Sequence, residues 1–378
     1  MRKVPFKKSK TGSVGTELEL QIIDNQFFTL AQRSKDLIRN LEGSAFEKRI
    51  KPEITQSMIE INSSVHTSID ELYKELIELH DFLVEQTKDV DVYFCGGGTH
   101  PFQRWSGQKI FPTVRYRNIL HKFRYLSKKA TVFGQHVHIG CSNPEEALYL
   151  THALACFTPQ MMAISASSPF YEGMDSGYFS TRSTIFTSFP MSGMIPYLKN
   201  WSEFSDYYHK MRKWGVIESM KDIYWDVRPK PEFGTVEIRV FDTPLTIRKA
   251  VLVTAYAQAL GLYLLEEKPI QLSPNIYYLY SYNRFQAERY GFDGEIIDPF
   301  SDKRTLIVDD ILATLPKLEK YAERLGSSEY LMDLKNDIEN KRNDAVHLRQ
   351  LLKEYGSYPK LVSELCKEWK NYRGKNEY

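Results

Sequence analysis

Glu17 and Glu19, His136 and His138, and Glu237 and Arg239 are pairs of ionisable residues two positions apart inside apolar, β-branched runs at residues 14–23, 132–141 and 235–242. Side chains alternate faces along a strand, so each pair points one way while its apolar neighbours point the other. Those neighbours are Leu18, Leu20 and Ile22, then Val137, Ile139 and Cys141, then Val236, Ile238 and Val240. With the apolar faces buried under helices, carboxylates, imidazoles and a guanidinium would share the opposite surface. Carboxylate oxygens favour a hard cation, Mg²⁺ or Mn²⁺, and a guanidinium beside them suits the charge of a transferring phosphoryl group. Taken singly, Glu17 with Glu19 reads as an exposed edge strand and Glu237 with Arg239 as an internal salt bridge; the recurrence on three strands points to a site. His136 and His138, flanked by Gly134 and Gly140 that permit close ligand approach, also fit zinc in a hydrolase. Against zinc, the chain offers carboxylates rather than an evident third histidine or a cysteine ligand.

Glu53 and Glu60 add two carboxylates around an extended stretch, residues 54–62. On one regular strand they would face opposite ways, so both reach one site only if Glu53 stands at the strand entry or beyond a bulge. Gly96-Gly97-Gly98 lacks the Lys and Ser/Thr that follow in a P-loop, which leaves a tight strand-exit turn or a ligand-contacting loop. Residues 167–193, rich in Gly, Ser and Pro and carrying Arg182, read as a long active-site loop. No convincing Ser–His or Cys–His dyad accompanies these groups, which is consistent with chemistry that needs no protein nucleophile.

The elements that position these residues follow from periodicity. Helices are expected over residues 34–41, from a Ser68/Glu71 capping box to about 84, over 116–130, from Pro144 behind an Asn143 cap to about 166 with an interruption near Pro159, and over 247–266. Strands are expected at 92–95 and as a hairpin joining 223–229 to 235–242. The last seventy or so residues are charge-rich and helical. Strands interleaved with helices, with a short hairpin among them, give an α+β chain with an antiparallel sheet.

The 378 residues, 42% of them hydrophobic, suffice for a sizeable core. Fifty Lys and Arg against 48 acidic residues leave a net charge of +2, which gives no reason to expect nucleic acid or a membrane surface as partner. Arg2, Lys3, Lys7, Lys8 and Lys10 precede no apolar stretch and read as a solvated arm rather than a signal peptide. Cys95, Cys141, Cys156 and Cys366 lack zinc or CxxC spacing, which fits buried, inert thiols in a reduced, cytoplasmic enzyme.

The ordered motifs Gly15-Thr16-Glu17-Leu18-Glu19, Glu53 with Glu60, Cys95-Gly96-Gly97-Gly98-Thr99-His100-Pro101-Phe102 and Ala130–His138 resemble the bacterial carboxylate–amine ligases of the glutamate–cysteine ligase type 2 family. Trp225-Asp226-Val227-Arg228-Pro229, Gly234–Val240 and Asp242-Thr243-Pro244-Leu245-Thr246 extend the resemblance. It implies the glutamine synthetase/guanido kinase fold, a curved, mostly antiparallel sheet with helices on its convex face, in a single catalytic domain over residues 1–378. Residues 12–250 would carry the sheet and site, and 300–378 a helical tail. It implies ATP and Mg²⁺, with Mn²⁺ as a substitute, a glutamate-like acid and a cysteine-like amine joined through an acyl phosphate, and a homo-oligomer, a dimer first. By resemblance Glu17, Glu19, Glu53, Glu60, His136 and Glu237 hold metal, Arg239 lies near the γ-phosphate, and Arg182 grips the substrate carboxylate. Arg228 and His138 are cofactor-side candidates. The rival readings are a phosphotransferase of the same fold, a zinc hydrolase built on His136 and His138, and a non-enzymatic ATP sensor.

Overall fold

In the computed structural model, which describes residues 3–371, the first alternating run becomes β1 (Val14–Asp24), the longest strand of the main sheet. Arg2 of the basic arm and residues 372–378 of the expected tail lie outside the described residues. The sheet adds β2 (Ile50–Pro52), β3 (Met58–Asn62), β4 (Val92–Cys95), β5 (Gly134–Gly140), β6 (Val227–Lys230) and β7 (Thr235–Asp242). Its order is β6-β7-β5-β1-β3-β2, with β4 paired to the far end of β1, and every pairing is antiparallel. β1 therefore touches β5, β3 and β4 at successive stretches of its length.

The alternation does what the sequence requires of it. Leu18, Leu20, Ile22, Ile59, Ile61, Val137, Ile139, Val236 and Ile238 are buried in one core with Leu72, Leu76, Leu79 and Leu83 of helix α1 (Ile69–Val90). Each such aliphatic side chain contributes roughly 1.5–3 kcal/mol by leaving water. Helices α2 (Pro144–Ala155) and α3 (Thr158–Ser165) continue this layer, α2 starting where the Asn143 side chain accepts from Glu146 N at 2.9 Å. A short helix, α4 (Thr181–Phe186), follows, then α5 (Ile247–Glu267), which is apolar nearly all round because it lies inside the core. Beyond it come α6 (Tyr280–Tyr290) and the charged tail helices α7 (Ile307–Leu325), α8 (Ser328–Glu339), α9 (Asp344–Tyr355) and α10 (Tyr358–Asn371). Among the described residues no helix is long and apolar enough to cross a membrane.

Four local expectations need correction. The helix expected over 116–130 is two, Val114–Phe123 and Tyr125–Lys129, because Arg124 adopts φ +51° and ends the first. The stretch 54–62 is extended only in β3; Met58 N bonds Thr55 O in a turn that leaves Glu53 just past the end of β2. The strand expected at 223–229 breaks at Asp226, whose N–H donates to Gly193 O and whose carbonyl accepts from Arg239 N. The N-terminal arm is docked: Val4 N donates to Ser205 Oγ, Trp201 Nε1 to Val4 O and Lys7 N to Pro231 O, while the side chains of Lys3, Lys7, Lys8 and Lys10 stay exposed.

Gly96-Gly97-Gly98 is a packing device. A Cβ on Gly96 would sit 2.0 Å from Pro244 O, Gly97 has φ +95°, and a Cβ on Gly98 would meet the Asp242 carboxyl at 2.7 Å. The turn thus lets the chain after β4 lie against residues 242–245. Gly96→Ala is expected to cost at least about 1–3 kcal/mol in equilibrium unfolding, since backbone must move to admit the methyl. Gly107→Ala, with nothing within 4 Å of the new Cβ, should leave the unfolding midpoint unchanged.

Candidate active site

Strand register aligns the ionisable residues across the sheet. Glu19 stands opposite Glu60, Glu17 opposite His136, His138 opposite Glu237, and Glu237 in turn opposite Arg228. Directly opposed side chains on one face lie about 4.5–5.5 Å apart at Cβ, so this register alone gathers groups from five sequence segments. Glu53 joins from the loop after β2: Lys51 pairs with Glu60, and Glu53 follows two positions later on the same side. All of these except His138 line one cavity of about 300 Å³, which also takes in Arg182, Arg239, Lys230 and an apolar end formed by Ile119, Phe186, Phe189 and Tyr224.

The arginines are held from behind. Arg228 Nε lies 2.5 Å, Arg239 Nη1 2.7 Å and Lys230 Nζ 3.9 Å from the Glu237 carboxylate, so the internal salt bridge of the simpler reading is present and has three cations rather than one. A bulge in the β7–β5 register falls between Ile238 and Phe241, in the stretch that holds Arg239 and Val240. Arg182, on α4 rather than on an irregular loop, is 3% exposed and donates from both terminal nitrogens to Arg239 O at 3.3 and 3.4 Å. Its guanidinium occupies the space above Gly134, where a Cβ would approach it to 2.0 Å. The close approach that Gly134 permits is that of a protein side chain.

The carboxylates divide into two groups. Burial pushes Glu19 up to about 7, helped by Glu53; burial likewise raises Glu53 and, with the charges of Glu17 and Glu53, lifts Glu60 well above the usual range. For Glu17 burial acts in the same sense, but hydrogen bonds from His136 and His138 outweigh it and hold the carboxyl low. Glu237 is held low against burial by Arg228, Arg239 and Lys230. His136 is pushed down to about 4, by burial first and then by Arg239, so its imidazole is neutral at physiological pH.

Among the described residues three donor groups could each hold a cation: Glu17, His138 and Glu237; Glu17, Glu60 and His136; and Glu19, Glu53 and Glu60, with ligand atoms within 4.8 Å of one another in each. His136 Nε2 is buried and makes no hydrogen bond, as a lone pair kept for a metal would be. A divalent cation fits this set on chemistry, because oxygen donors outnumber imidazoles and a bound cation would stabilise the ionised forms of Glu19, Glu53 and Glu60 that burial disfavours.

Several residues escaped sequence reasoning. Lys230 shares a face with Arg228 and lies 3.9 Å from Glu237; its signal was the two-residue spacing from Arg228, hidden by ending the strand at Pro229. Tyr116 reaches Pro52 O at 3.3 Å beside Glu53, and Asp242 accepts from Ser167 N, Ser168 Oγ and Ser180 Oγ at 2.6–3.0 Å, fixing the approach to α4. Neither contact has a local signature.

The sequence profile described as glutamate-cysteine ligase family 2 matches residues 13–367. A protein of Legionella pneumophila (strain Corby), provisionally named glutamate–cysteine ligase 2-1, is 59% identical over 369 residues, 98% of this chain and 96% of its own length. One of Ralstonia pickettii (strain 12J), provisionally named glutamate–cysteine ligase 2, is 45% identical over 365 residues, 97% of both chains. Among solved structures, a glutamate–cysteine ligase of Francisella tularensis in complex with AMP superposes with a TM-score of 0.73 at 11% identity, covering 97% of this chain and 91% of that one. A bifunctional glutathione synthetase from Pasteurella multocida gives 0.65 at 13% identity over 95% of this chain and 52% of its own. At those identities the likeness is one of fold.

Glu19 is protonated below about 7 and ionised above it, and a cation must displace that proton. Titration with Mn²⁺ should therefore show affinity falling by roughly tenfold or more between about pH 8 and about pH 6, with more protons released per ion at the lower pH. Affinity independent of pH across that window would remove Glu19 from the cation site.

Proposed function

The chain belongs to glutamate-cysteine ligase family 2, and on that premise we propose that it joins a carboxylate to an amine at the expense of ATP. The observation that carries this reading is the convergence of five carboxylates and four arginines on one cavity, an arrangement suited to bringing two anions together. The main sheet then corresponds to the curved sheet of the glutamine synthetase/guanido kinase fold, with α1, α2 and α5 on its convex side. Residues 1–378 act as one catalytic unit, and the helical tail supports association into a dimer in the cytoplasm.

The acid is glutamate-like and the amine cysteine-like. Two unit charges about 4 Å apart repel by about 4 kcal/mol at an effective dielectric of 20, and this is the obstacle when a carboxylate approaches the γ-phosphate. Glu17, Glu19, Glu53, Glu60, His136 and Glu237 hold Mg²⁺, with His138 beside them; when bound, the ion supplies the counter-charge that phosphate oxygens need. Arg239, braced by Glu237, faces the γ-phosphate, and Arg228 keeps Glu237 ionised from the other side. Arg182 grips the acid. The substrate's side-chain carboxylate attacks the γ-phosphorus and ADP departs; the amine then attacks the acyl phosphate, phosphate leaves and an amide remains. Phe186, Phe189 and Tyr224 wall the cavity with apolar surface that keeps water from the acyl phosphate.

The test is a screen of acids crossed with amines, following ADP release and weighing the products. The expected product has the mass of acid plus amine less water, formed only with ATP and a divalent cation. ADP release without amine and a stable phosphocompound would mark a phosphotransferase instead, and ATP-independent cleavage with tightly held zinc a hydrolase. Two variants sharpen the reading. Glu60→Gln should lower ligation roughly 10²-fold or more while leaving stability equal or raised, because a buried carboxyl that resists ionisation is replaced by a neutral isostere. Glu237→Gln should cost both activity and stability, since it strips the charge partner from Arg228 and Arg239 together. Equal thermal behaviour of the two variants would contradict this division of roles.

A further inference from the structure

Asp226, Tyr280, Arg284 and Glu288 form a buried polar cluster behind the cavity that none of the proposed chemistry uses. Tyr280 Oη donates to Asp226 Oδ2 at 2.7 Å, Arg284 Nε stands 3.1 Å from the same oxygen, and Arg284 Nη2 stands 3.4 Å from Glu288 Oε1. Burying such charges is costly, and removing one partner leaves the other uncompensated, so the cluster calls for a purpose.

Its contacts supply one. Arg284 Nη2 donates to Ser183 O at 3.1 Å, and the Glu288 carbonyl accepts from Phe179 N at 2.8 Å and Ser180 N at 3.1 Å. α6 thus holds α4 at Ser183 and the two residues that lead into it, Phe179 and Ser180, on either side of Arg182 in the chain. A six-residue helix has no independent stability, so its placement is imposed by such contacts. On the other side, the Asp226 carbonyl accepts from Arg239 N at 2.8 Å, and the Arg182 guanidinium returns to Arg239 O. The path closes on itself: Asp226 carboxylate, Arg284, Ser183, its neighbour Arg182, Arg239, and back to the Asp226 main chain.

We infer that Asp226 is a positioning residue, which through Arg284 and α4 sets Arg182 against Arg239 and so sets where the acid meets the phosphate. This rests on the reading of Arg182 as the grip on the acid. Asp226 also interrupts the strand before β6, so its main chain is free to serve Arg239 while its side chain serves α4. Changing the side chain acts on the Arg182 end alone.

The experiment is steady-state kinetics of the full chain with ATP, L-glutamate as the acid and L-cysteine as the amine. Asp226→Asn and Arg284→Met are each expected to raise KM for glutamate about tenfold while KM for ATP stays within about twofold, and the double variant should be little worse than either single one. Tyr280→Phe, which removes only a hydroxyl, should give a smaller shift in the same direction and guards against loss of folding in the other two. Arg182→Ala is run beside them. If it raises KM for glutamate while the cluster variants change only kcat, the cluster is merely structural and the inference is overturned. If Arg182→Ala leaves KM for glutamate unchanged, the grip itself is misassigned and the inference falls with it.

Discussion

Like charges crowded in a buried place govern this structure. Glu19, Glu53 and Glu60 lie close enough for their oxygens to share one ligand position, and without a counter-ion they cannot all ionise. Glu17 and Glu237 stay ionised only because histidines in one case, and Arg228, Arg239 and Lys230 in the other, stand beside them. The cavity is thus divided between a carboxyl-rich side short of positive charge and an arginine-rich side where Arg228, Arg239 and Lys230 all lean on the Glu237 carboxylate. A polyanion bringing its own cation suits the first side, and a second anion the neighbourhood of Arg182.

The sheet makes this crowding affordable. β1 lies in its interior, paired on one side with β3 and on the other with β5 and then β4, so its two glutamates are flanked by partner strands on both sides. The opposite faces of the same strands are packed into the aliphatic core with α1 and α5, and that burial offsets the cost of holding charges together. Register is therefore critical, because a slip of one residue would send every glutamate into the core and every leucine into the cavity. Asp242, Gly98 and Gly134 serve the same end from behind: they let the segments bearing Arg182 approach the sheet more closely than larger residues would allow.

Much of this was legible in the sequence, and the reason is period. Two-residue alternation located Glu17, Glu19, His136, His138, Glu237 and Arg239 on one face, since the strand itself fixes where they point. What depends on chain reversal was not legible. Whether Glu53 joins Glu60 turns on the short bend at residues 55–58, and Lys230 was lost because proline looked like a strand end although β6 continues past it. Arg182 was read on a loop because α4 owes its helical shape to Asp242, Arg284 and Glu288, residues 60–106 positions away from Arg182. The break at Arg124 has no signal in composition at all. Local rules located the chemistry; tertiary contacts decided how it is aimed.

The central claim is that this sheet face brings a substrate carboxylate against the terminal phosphate of ATP. Glutamate labelled with heavy oxygen in its side-chain carboxylate tests it directly, in single-turnover reactions with ATP and cysteine. Transfer of one labelled oxygen to inorganic phosphate for each amide formed is the predicted result, since an acyl phosphate must leave that atom on phosphorus. Amide formed with unlabelled phosphate would contradict the account.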